Sequence, residues 1–239
     1  MNKVKSRYKY SYGIKKGLPI ALGYLSVAFG FGISAVGKGL SGIEAILISM
    51  TTLTSAGQIA GVGIISAGGS FIEMAITQLV INIRYCLMGL ALTQKLDITM
   101  TTPNRLMASF GITDEVFAVS ISERECIGNK YMYGLITLPY IGWALGTALG
   151  AFAGHVLPQA ICLALGIAIY SMFVAIIIPP AKENKGIMWC VIISAVMSCI
   201  FYYTPCLKTI SQGFSIIICA VVPSVLMAIL KPVKEGENE

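Results

Sequence analysis

The sequence predicts an all-α integral membrane protein, a polytopic helical bundle of about seven to eight hydrophobic segments, one of them broken or re-entrant. Three observations predict it: scarcity of charge, the length of the uncharged runs, and a polar interruption in the middle of one run. The 239 residues are 56% hydrophobic and 12% charged, with a mean hydropathy of +0.80, whereas water-soluble domains carry about 25% charged residues. So few charges cannot cover a water-facing surface. The uncharged runs are Gly17 to Gly37, Ala45 to Ile72, Tyr131 to Ala181, Gly186 to Leu207 and Thr209 to Leu230. Each can cross about 30 Å of hydrocarbon as a helix rising about 1.5 Å per residue, and the third can cross twice.

Seven segments follow, 17–37, 43–66, 71–94, 131–154, 157–180, 187–206 and 212–230, with a weaker apolar stretch at 106–121. They fill 1–239 as a single transmembrane domain: a basic tail 1–16, a first half 17–122 holding the polar motifs, a second half 131–230 and a C-terminal tail 231–239. The tail residues Lys3, Lys5, Arg7, Lys9, Lys15 and Lys16 precede an apolar run too long for a cleaved leader, so this run reads as an uncleaved first span. The net charge of +6 sits mainly in this tail. Contact with a lipid bilayer and a cytoplasmic N-terminus explain it, with no nucleic-acid partner. The seven cysteines are scattered with no CxxC pair, so they imply neither a metal nor a disulfide framework.

Positive-inside counting also draws Lys182/Lys185 and Lys231/Lys234 to the cytoplasmic side, which seven full crossings cannot satisfy. Either 106–121 crosses as an eighth span, or 43–66 enters and returns on one side. The second choice has local support, because Thr51-Thr52-Leu53-Thr54-Ser55-Ala56-Gly57-Gln58 interrupts its run. A broken helix at mid-membrane is tolerated where its backbone faces protein or a wet cavity, and such breaks bind solute in carriers. The alternative is an ordinary span with a small-residue packing face. Laying Leu18-Pro19 over Leu138-Pro139 also aligns Leu25, Ala28, Gly30 and Val36 with Leu145, Ala148, Gly150 and Val156. This is a faint repeat, which admits an inverted topology.

The third segment is uncharged from Met74 to Gln94 except for Arg84 at its middle, a placement that costs about 2.5–3.5 kcal/mol on translocon scales. Gln78, Asn82 and Tyr85 fall at i, i+4 and i+7, with Thr77 and Arg84 on the adjacent strip, so one broad polar face results. That face is expected to line a solute path; alternatively, Arg84 only ties helices through an ion pair. Asp114 and Glu115, between apolar residues, are the candidate partners, about 100° apart on a helix, with Thr113 or Asp114 as N-cap. Their alternative is a solvated interfacial helix. Glu44 and Glu73 open hydrophobic segments and read as boundary residues, and His155 reads as a loop residue. No GxxxxGK[ST], HExxH, GxSxG triad or His/Cys cluster occurs, so neither an enzyme nor a bound cofactor is expected.

Four motifs in order carry a resemblance: Gly17-Leu18-Pro19 with Phe29-Gly30, Ser55-Ala56-Gly57-Gln58, Asn82-Ile83-Arg84-Tyr85, and Thr113-Asp114-Glu115-Val116-Phe117-Ala118. Over residues 12–120 the sequence resembles the AzlC family of branched-chain amino-acid permeases. The resemblance implies the large subunit of a two-component secondary transporter, exporting branched-chain or related small neutral amino acids across the bacterial cytoplasmic membrane. Its partner would be a small membrane subunit of the AzlD type. Substrate-binding or translocation residues would then be Ala56, Gly57, Gln58, Gln78, Asn82, Arg84, Tyr85, Asp114 and Glu115. The rival expectation is a channel or a non-transporting scaffold in which Arg84 and Asp114/Glu115 form a structural ion pair.

Overall fold

A computed structural model describes residues 8–153, 174, 177–207 and 209–231. The predicted segment 157–180 falls mostly, and His155 wholly, outside these residues. The described chain is helical: α1 (Tyr10–Gly37), α2 (Gly42–Thr51), α3 (Ser55–Ser66), α4 (Phe71–Thr93), α5 (Thr102–Ser109), α6 (Asp114–Ser122), α7 (Asn129–Ala153), α8 (Lys185–Tyr203) and α9 (Gln212–Leu230). Residues 177–183 are also helical. Among the described residues the β structure is one isolated bridge, Leu96 with Ile127. The chain forms two compact units, Met1–Ile59 with Asn82–Ile169, and Ala60–Ile81 with Tyr170–Glu239.

The first unit is built on α1 and α7. Gly13 backs onto Tyr131 and Leu135, Gly17 onto Leu135, Gly142 onto Ala21, Gly146 onto Leu25 and Gly150 onto Phe29. The partners advance together, so the two helices run parallel. A Cβ at Gly142 would lie 2.6 Å from the Ala21 carbonyl oxygen, which is why small residues recur every fourth position at 142, 146 and 150. The Leu18-Pro19 and Leu138-Pro139 copies therefore lie side by side in the same sense. For this pair, the inverted relation that the sequence admitted gives way to a parallel one.

Two parallel crossings need an odd number of crossings between them, and the short helices show how that is met. Ser41 and Glu44 form a capping box that starts α2, confirming Glu44 as a boundary residue. Gly42 packs near Phe152 at the far end of α7, Ser49 bonds Thr147 at 2.7 Å, and the Tyr140 hydroxyl donates to the Met50 carbonyl at 3.1 Å. α2 thus descends along α7 and breaks half way. Thr54, in the break, donates to Asn82 at 2.8 Å, and α4 then carries Leu92 to the cluster of Tyr131, Met132 and Leu135 at the near end of α7. α3 packs antiparallel on the first turns of α4, with Gly61 against Met74 and Gln78. Segment 42–66 is thus two half-length helices, of 10 and 12 residues, and not one continuous span.

The stretch 106–121 does not cross either. α5 climbs α7 from Tyr133, whose hydroxyl donates to Asn104 at 2.9 Å, to Tyr140, whose ring lies 6.1 Å from that of Phe110. After residues 110–113, α6 returns, and Glu123 accepts from Tyr131 at 3.0 Å at the near end. The eighth span is corrected to a second hairpin, because helices of 8 and 9 residues rise only about 12–14 Å each, half a hydrocarbon core. α4 alone then crosses between α1 and α7. In the second unit α8 and α9 form an antiparallel pair, with Ser194 donating to the Cys219 carbonyl at 2.9 Å and Gly186 beside Lys231.

Candidate functional site

Tyr24, Asn82 and Trp143 stand within about two residues of the midpoints of α1, α4 and α7, where both hairpins break. At the first break the sequence supplies its own cap. Gln58, 2% exposed, turns its amide nitrogen to the Thr52 carbonyl and, at 3.3 Å, to the Ile48 carbonyl, satisfying the end of α2. Its amide oxygen accepts from the Trp143 indole at 3.2 Å. Thr54 Oγ1 accepts from the Gly57 N–H at 3.4 Å while donating to Asn82. Ala56 and Gly57 form the first turn of α3, whose leading N–H groups have no acceptor within their own helix.

At the second break Thr113 is the N-cap of α6, accepting from Val116 N–H at 3.3 Å. Asp114 and Glu115 occupy the first turn, where the helix dipole favours carboxylates, and they diverge as their spacing predicts. Asp114 Oδ2 meets Arg84 Nη1 at 2.9 Å. Glu115 accepts from the Tyr24 hydroxyl, which also lies 2.6 Å from Thr113 Oγ1. The Tyr24 ring meets Trp143 edge to face at 5.1 Å. Arg84 Nη2 donates to the Tyr85 hydroxyl at 3.4 Å, but its Nε is buried with no partner among the described residues.

The structure therefore brings together Ala56, Gly57, Gln58, Asn82, Arg84, Tyr85, Asp114 and Glu115 in the first unit. Gln78 falls in the second, its amide nitrogen 3.8 Å from Met74 sulfur. Tyr24 and Trp143 were not found by sequence reasoning. Single aromatics inside apolar runs look like membrane packing, and only their alignment with the breaks gives them a polar task. Glu73 stands in the first turn of α4, at its expected boundary, and is in addition 4% exposed and accepts from the Gly213 N–H at 2.7 Å.

Among the described residues, five helices are long and apolar enough to cross a bilayer, and with the ion pair between α4 and α6 they define a multi-pass helical membrane protein with a built polar centre. The chain belongs to the AzlC family: the family model described as AzlC protein matches residues 19–157. It is 28% identical over 182 residues to Inner membrane protein YgaZ of Escherichia coli (strain K12), covering 73% of this chain and 74% of that one. It is 31% identical over 184 residues to an uncharacterized membrane protein of Archaeoglobus fulgidus, covering 76% of this chain and 80% of that one. No solved structure matches it.

Proposed function

We propose that the chain is the large subunit of a two-component secondary carrier that exports branched-chain amino acids or related small neutral amino acids across the bacterial cytoplasmic membrane, its N-terminus in the cytoplasm. One observation carries the reading: a guanidinium at the middle of a membrane helix, fixed by Asp114 yet keeping a buried, unpartnered Nε. An amino-acid carboxylate supplies the acceptor that Nε lacks, and the positive end of the α3 dipole belongs to the same polar centre. Glu115 and Asp114 answer the ammonium. Aliphatic side chains then lie against the apolar helices. Two hairpins from opposite ends, meeting at the site, give a carrier an inner and an outer element to move in turn. The small partner is taken to be a separate AzlD-type membrane subunit.

The rival reading, a channel or scaffold, draws on the same pair, since Arg84 and Asp114 already satisfy each other at 2.9 Å. Efflux of labelled leucine, valine, isoleucine and methionine from loaded cells, with and without the small subunit, separates them. Saturable, stereoselective efflux that requires both chains supports the carrier. Non-saturating flux, or none with both proteins verified in the membrane, contradicts it.

A further inference from the structure

In the second unit, Glu73 and Thr77 converge on Gly213 where α9 begins, and Ser211 stands two residues before it. Glu73, in the first turn of α4, is 4% exposed, and its Oε1 accepts from Gly213 N–H at 2.7 Å. Thr77, one turn on, is 0% exposed, and its Oγ1 has no hydrogen-bond partner among the described residues. Ser211 is the N-cap residue of α9, yet its buried Oγ makes no capping bond and has no partner among the described residues. A Cβ at Gly213 would lie 2.6 Å from Glu73 Oε1 and 2.7 Å from Thr77 Oγ1, so the carboxylate and the threonine hydroxyl point at the same spot.

Both orphan hydroxyls depart from habit. A threonine or serine inside a helix ordinarily donates to the carbonyl one turn back, as Ser215 does to Ser211 at 3.1 Å and Ser224 does to Ala220. An N-cap serine ordinarily accepts from the first turn. Neither hydroxyl turns to the carboxylate. Buried hydroxyls that no protein group satisfies call for a partner from outside the chain. The donor set is oxygen only, the kind that hard cations take and that thiophilic metals do not.

Its charge is that of one carboxylate. Among the described residues no lysine or arginine pairs with Glu73, and Lys185 and Lys231 lie at the opposite end of α9 from Gly213. The geometry points to a binding site for a monovalent metal cation of the sodium class, with Glu73, Thr77 and Ser211 as its side-chain ligands. None of these residues belongs to the Arg84 centre, so the site does not rest on the carrier reading. Within that reading it would supply a coupling ion.

The test is binding of radioactive sodium to the purified full chain in detergent, with choline as the replacement cation. Wild type and Arg84→Gln bind sodium saturably. Glu73→Gln binds at least about tenfold more weakly, and Thr77→Val with Ser211→Ala weakens binding likewise. The hydroxyl variants break no hydrogen bond of the fold, so they decide the matter even if Glu73→Gln fails to fold. Absence of saturable sodium binding in wild type, or unchanged binding in the Thr77→Val/Ser211→Ala variant, overturns the proposal.

Discussion

Trp143 Nε1–H donates to Gln58 Oε1 across 3.2 Å while the same indole receives Tyr24 edge to face, the ring centroids 5.1 Å apart. Gln58 caps the end of α2, and Tyr24 holds Thr113 and Glu115 at the start of α6. Gln58, Trp143 and Tyr24, with Thr113 and Glu115, thus link the two breaks through α1 and α7.

Trp143→Phe keeps the apolar bulk but leaves a buried amide oxygen without its donor. It should destabilise the detergent-purified protein by about 1–3 kcal/mol and lower leucine efflux, with thermal unfolding and transport as the readouts. An unfolding midpoint identical to wild type would mean that the indole donor is not part of the cap.

Tyr24→Phe removes the hydroxyl shared by Glu115 and Thr113, so α6 keeps its N-cap but Glu115 loses a charge-assisted bond, worth about 1.5–3 kcal/mol. Efflux should fall while the amount in the membrane holds. Tyr10→Phe, whose hydroxyl meets Thr137 at an exposed position, should export normally.

The parallel α1/α7 seam makes an opposed pair of glycine predictions. Gly142→Ala places a methyl 2.6 Å from the Ala21 carbonyl and should cost about 1–3 kcal/mol through overpacking. Gly23→Ala and Gly89→Ala, with open space around them, should instead stabilise by about 0.5–1 kcal/mol. Thermal unfolding of the three variants checks both signs.

The hairpin topology fixes which loops share a side. Lys38→Cys, after α1, and Ala67→Cys, between α3 and α4, should react with an impermeant maleimide from one side. The native, exposed Cys126 should react from the other. Labelling of Lys38→Cys and Ala67→Cys from opposite sides would show that 42–66 crosses the membrane.

Much of this was legible where composition breaks a pattern. The polar run at Thr51–Gln58 announced the first break, and the isolated Arg84 announced its need for Asp114, because hydrocarbon makes each polar departure costly enough to mean something. The second break was harder to read. Thr113-Asp114-Glu115 follow Phe110-Gly111-Ile112 there, but they read equally as a helix start, and the apolar length of 106–121 resembles a weak span. Gln78 shared a helical face with Asn82, yet faces other partners, since a face of α4 meets different neighbours along its length. Tyr24, Trp143 and Glu73 act through residues distant in sequence, which one-dimensional periodicity does not record.

The central claim is that Arg84, held by Asp114 between the two breaks, binds the transported amino acid. The direct measurement is leucine efflux from cells carrying the small subunit with wild type or Arg84→Gln, at equal amounts of protein in the membrane. Saturable efflux is expected from wild type and background efflux from Arg84→Gln. Export by Arg84→Gln at the wild-type rate would contradict it.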